Sequence, residues 1–219
     1  MNLRVTLAVA ALLASATPAP AAAETVTGRV FDAGLMADVR QPTVLRYRYE
    51  LHGQDIEPPF TGQVEMDVRE VAADGQKSVF FDMFEGPNRR QFGPMAANAQ
   101  NPLVIVFLQR DVSQMANLTG GAAGYFQQQI RKAFNQPAEA EPVEVELDGR
   151  KVQGTRLVIR PFRDDPNVAR FPKFKDKAYE FVVADGVPGG LYRVASRVPD
   201  PQDGHLILEE SVTFAEVKS

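Results

Sequence analysis

The sequence predicts an α+β fold: an antiparallel curved sheet or incomplete β-barrel covered by a central helical pair. Three observations predict it. Apolar and polar residues alternate at period two through most of the chain after Thr43. One interruption, from about Asn101 to Phe134, has helical spacing instead. Turn-forming clusters separate the strand-like runs, without the strand, helix, strand rhythm of a parallel sheet.

The chain opens with a short basic head, Met1 to Arg4, followed by an uncharged run from Val5 to Ala16. This is the pattern of a cleavable signal peptide. A membrane span needs roughly 20 apolar residues, and Thr17, Pro18 and Pro20 end this run earlier. The small residues Ala21, Ala22 and Ala23 place cleavage before Glu24, so residues 1–23 are read as leader and 24–219 as a single β-rich domain. There is no cysteine to receive a lipid or form a disulfide. The expected product is a non-lipidated, soluble periplasmic protein that is stable through its core, for which the 196 residues from Glu24 suffice.

The first strand signal is Leu45, Tyr47, Tyr49 and Leu51 opposed by Arg46, Arg48 and Glu50. Val64, Met66 and Val68 repeat it; Ala73 to Gly75 turn the chain; Val79, Phe81 and Met83 return it as a hairpin. After the turn at Gly86 to Asn88, Arg89 to Phe92 reads as a short strand. Asn101 and Pro102 suit the cap and first position of a helix that runs from Leu103 to about Leu118 and stops at Gly120 and Gly121. A second helix follows from Ala122 to Phe134, with Phe126 and Ile130 on its apolar stripe, and then a linker over 136–142. Strands resume at Val143 to Leu147, Val152 to Phe162, Tyr179 to Val183, Leu191 to Val198 and Leu206 to Val217. The total is nine or ten.

Composition excludes several functions. The chain has 24 basic and 28 acidic residues, so that without Arg4 the mature charge is −5. That balance supplies neither the basic face that nucleic acid requires nor a polybasic stretch for an anionic membrane. His52 and His205 stand far apart with no partner at ligand spacing, so no metal or other cofactor is expected. Asp164 and Asp165 lack the alternating oxygen ligands of a calcium loop and read as a solvated turn. No serine lies in a nucleophile elbow. Glu209 and Glu210, adjacent on a strand, point to opposite faces and are not a catalytic pair by themselves, which leaves open only carboxylates that the fold brings together. No enzyme is expected.

The order of leader, strands, helical pair and further strands, together with the Val187, Pro188, Gly189, Gly190 turn between Tyr179–Val183 and Leu191–Tyr192, resembles the periplasmic lipoprotein carriers LolA and LolB. The resemblance is one of layout and covers most of Thr43 to Val217. It implies binding of a lipid or other apolar ligand on a concave sheet face beneath the helices. The bulky or adaptable side chains on the inward stripes, Tyr47, Tyr49, Met66, Phe81, Met83, Phe107 and Phe126, are the candidate ligand-binding residues. The same stripes also serve as ordinary core, which every half-buried sheet needs and which is the heavier reading. The expected partner is therefore an apolar ligand or, in the alternative reading of a non-catalytic envelope interaction protein, another protein of the envelope.

Overall fold

A computed structural model describes residues 23–54 and 56–218, so the expected leader, apart from Ala23, lies outside the described residues. The alternating runs form nine strands: β1 (Thr43–His52), β2 (Phe60–Val71), β3 (Lys77–Met83), β4 (Arg90–Ala97), β5 (Glu139–Leu147), β6 (Arg150–Ile159), β7 (Ala178–Ala184), β8 (Leu191–Pro199) and β9 (Leu206–Lys218). All nine pair antiparallel in one sheet, ordered β4-β3-β2-β1-β9-β8-β7-β6-β5. The sheet is open, with β4 and β5 as its two edges, and is not closed into a barrel. Both edges carry a proline, Pro94 and Pro142, where the missing N–H costs no ladder bond and blunts pairing with another chain.

Two helices, α1 (Pro102–Thr119) and α2 (Ala123–Phe134), connect β4 to β5. Those strands are the opposite edges of the sheet, eight strand spacings or roughly 38 Å apart, so the connection has to cross a face. α1 starts where the sequence indicates: the Asn101 side chain accepts a hydrogen bond from the Leu103 amide at 3.1 Å, and Pro102 takes the first position. It ends at Gly120, whose φ of 64° is the left-handed conformation of a helix stop.

Register fixes which side chains face the helices. Tyr47 lies opposite Phe214 and Tyr49 opposite Val212 across the β1–β9 pair, and Val212 in turn opposes Val194 of β8. These residues are buried. Glu210 points inward with them, whereas its neighbour Glu209 turns to the outer face and meets Arg193 and Arg197, as the alternation requires.

Three local features depart from the sequence reading. β5 begins at Glu139, inside the stretch read as a linker, because β6 offers a continuous partner from Glu139 opposite Val158 onward and an edge strand tolerates Pro142. β4 extends to Ala97 by absorbing a register shift against β3 between Val79 and Phe81. Residues 24–42, which show no alternation, form two short helical turns, Thr27–Phe31 and Leu35–Asp38, that bury Val26, Val30 and Met36. Phe31 rests on Phe134 of α2, with ring centroids 5.2 Å apart.

Candidate functional site

All seven candidate residues face the space between sheet and helices, and none is more than 6 % exposed. Tyr47 packs edge-on to Phe214, and Phe126 meets Phe162 and Phe171, all within one continuous core, while Phe81, itself buried, stacks on the exposed Phe92 of the edge strand β4. Burial pushes the Tyr47 phenol well above its ordinary pKa. The structure thus brings the seven together as packed side chains.

An apolar cleft lies elsewhere, between the helices. Ile105, Leu108, Gln109 and Val112 of α1 occupy one helical stripe, and Gln127, Ile130, Arg131 and Phe134 of α2 occupy the facing one. Thr27 and Phe31 of the N-terminal segment complete the cleft, which has a volume of about 310 Å³. Its walls are aliphatic and aromatic, and its polar side chains are Gln109, Gln127, Thr27 and Arg131. Among the described residues no carboxylate pairs with Arg131. None of the seven candidate residues lines this cleft.

Where α1 meets the sheet, two polar contacts interrupt the otherwise apolar packing. Asp111 is 1 % exposed and forms an ion pair with the equally buried Lys177 at 2.7 Å. It also accepts hydrogen bonds from the Tyr179 hydroxyl at 2.5 Å and the Ser196 hydroxyl at 3.0 Å. One residue earlier, the Arg110 Nε donates to Glu210 at 2.8 Å, and the Tyr49 hydroxyl donates to the same Glu210 oxygen at 2.9 Å. Burial raises the Glu210 pKa; Arg110 opposes that rise and the nearby Asp111 reinforces it. Two consecutive residues of α1 are thereby tied to β1, β7, β8 and β9.

The overall layout is similar to solved structures. Lipoprotein LppX of Mycobacterium tuberculosis is 14 % identical over 85 % of this chain and 96 % of that one, with a TM-score of 0.31. A LolA superfamily protein from Nitrosomonas europaea is 10 % identical over 90 % and 94 %, with a TM-score of 0.24. No family model matches the chain, and no curated protein matches it in sequence.

The Arg110–Glu210 and Asp111–Lys177 ties were not among the candidate residues, yet each left a signal. Asp111 interrupts the buried stripe Val104, Phe107, Leu108, Met115 of α1. Glu210 interrupts the inward series Leu208, Val212, Phe214 of β9. A charge on an otherwise apolar stripe calls for a buried partner. Asp165, read as half of a solvated pair, is buried and accepts a hydrogen bond from the Tyr125 hydroxyl at 2.5 Å, so only Asp164 remains a solvated carboxylate of that turn.

Proposed function

We propose that the chain from Glu24 onward is an exported, non-catalytic periplasmic binding protein that holds a lipid chain or similar apolar ligand in the α1–α2 cleft. The observation that carries the reading is the cleft itself, two facing apolar helical stripes left partly unfilled beneath a rim of Gln109, Gln127 and Arg131. Its volume of about 310 Å³ sits at the small end of the range for ligand sites, roughly 300–1,000 Å³. That favours one chain rather than a multiply acylated lipid. Among the described residues no helix is long and apolar enough to cross a membrane. The close packing of all seven candidates, five on the sheet and two on the helices, favours a second reading, an envelope protein whose sheet is simply filled and which works through its surface.

Native mass spectrometry and lipid extraction of protein purified from the periplasm separate the two. A co-purifying lipid, and a thermal shift with added fatty acid that Ile105→Trp abolishes by filling the cleft, are expected of the first. Repeatedly clean protein with no shift sinks it.

A further inference from the structure

The carboxylate of Glu210 is fully buried, yet one of its oxygens is unsatisfied. Arg110 and Tyr49 both bond Oε1, while Oε2 is sealed from solvent without a hydrogen-bond partner. The guanidinium does not use its two-pronged geometry: its second nitrogen donates to the Tyr49 hydroxyl instead, at 3.1 Å. An unpaired charged oxygen in the interior is costly.

Aromatic rings surround the same ion pair. Tyr49, Phe60 and Phe84 touch one another with centroids 4.8, 5.2 and 5.7 Å apart. Arg110 lies over the Tyr49 and Phe84 rings at 5.4 and 5.6 Å, within cation–π range. Phe84 takes its place with a backbone φ of 66°, which a bulky residue adopts only under constraint. Gly62 makes room for it, since a β-carbon there would stand 2.8 Å from the Phe84 ring. The Arg110 side chain is 43 % exposed while that of Glu210 is 0 % exposed, so the arginine reaches the buried carboxylate from the solvent side.

We propose that the space the Arg110 guanidinium fills, between the Glu210 carboxylate and the Tyr49 and Phe84 rings, is a cation site, plugged by Arg110 in the present structure, that takes the primary ammonium group of a ligand in Arg110's place. An ammonium offers three donors at one point, which reach Oε2 as well as Oε1, and it lies over the same rings. A quaternary ammonium keeps the ring attraction but has no N–H for Oε2. The site is separate from the interhelical cleft and does not depend on it.

The test uses tailless probes, so that cleft binding cannot mimic the result. Methylammonium, tetramethylammonium and sodium chlorides are titrated at equal ionic strength and pH 8 into the full mature chain, following backbone amide shifts of Tyr49, Phe84 and Glu210 by NMR. Methylammonium is expected to bind the wild type, to bind Arg110→Met about tenfold more tightly because the competing plug is gone, and to exceed tetramethylammonium in both. Glu210→Gln should lose the response. Arg110→Lys, which keeps a plug, serves if Arg110→Met does not fold, and should bind no better than wild type. Shifts that are the same for sodium, or that persist in Glu210→Gln, overturn the proposal while leaving the acyl-chain reading untouched. Fatty-acid binding without any methylammonium response overturns this proposal alone.

Discussion

Asp111 of α1 and Lys177, at the foot of β7, lie 2.7 Å apart with both side chains closed off from solvent. Asp111 is saturated further by Tyr179 and Ser196, and Lys177 by Ser196 at 3.3 Å and by the rings of Phe174 and Tyr179. A pair this buried is worth little compared with a well-packed apolar substitute, but breaking it from one side strands a charge.

Asp111→Ala should therefore cost about 3–5 kcal/mol, and pairing it with Lys177→Met should recover a large part of that loss. Urea unfolding of the two single variants and the double variant checks this. A loss below about 1 kcal/mol for Asp111→Ala would mean that water reaches the pair and that α1 is held by its apolar face alone.

Two carboxylates on opposite faces should give opposite pH responses. Burial acts to raise the Glu180 pKa, but the Arg156 hydrogen bond and the charges of Arg197, Arg156 and Arg193 outweigh it, and the folded value lies below the ordinary one. Its stabilisation is present above the unfolded glutamate range and is lost as pH falls through the lowered folded value. Glu210 is raised, so between the unfolded and folded values the native state holds the extra proton, and stability falls as pH rises through that window. Glu180→Gln should accordingly be more damaging at pH 7 than at pH 3. Glu210→Gln should look better relative to wild type at pH 7 than at pH 4. Denaturant curves at these pH values decide it; variant-to-wild-type gaps that do not change with pH refute the assignment.

Asn101 does two jobs. Its carbonyl oxygen caps α1, and its amide donates to the Gly189 carbonyl at 2.9 Å, fixing the helix start to the β7–β8 turn. Asn101→Ala should lose roughly 2 kcal/mol, about 1 from the cap and about 1 from the buried bond, and Asn101→Asp, which keeps the cap and loses the donor, should lose about half as much. Equal losses for the two variants in thermal unfolding would show that the cap contributes nothing.

That turn also shows what sequence conveys. Gly189 and Gly190, part of the feature on which the carrier resemblance partly rested, have structural reasons of their own: φ of 76° and 68°, and β-carbons that would crowd Met36, Leu45 and Asn101 at the first and Leu35 at the second. The strands were legible because one buried face imposes period two, and α1 because Asn101, Pro102 and Gly120 mark its limits. The interhelical cleft was not legible. Its stripe Ile105, Leu108, Val112 is indistinguishable in sequence from one that is filled, and its far end is made by Phe31, more than 70 residues earlier in the chain. Nor does sequence reveal that Arg110 bonds Glu210, since that pairing depends on which strand lies under the helix.

Every strand pairing in the sheet joins sequence neighbours except that of β1 with β9. A ribosome delivers the chain from one end, so each flank of the sheet can zip up hairpin by hairpin as it emerges, while the seam in the middle waits for the last strand. Closing it brings together groups as far apart as Tyr49 and Glu210, separated by 161 positions, at an entropic cost of about 4–5 kcal/mol. Until β9 arrives, the inner edge of β1 and the apolar face beneath α1 stay uncovered. The nascent protein is most vulnerable to aggregation in that interval, and clipping β9 away would leave two half-sheets with no seam to join them.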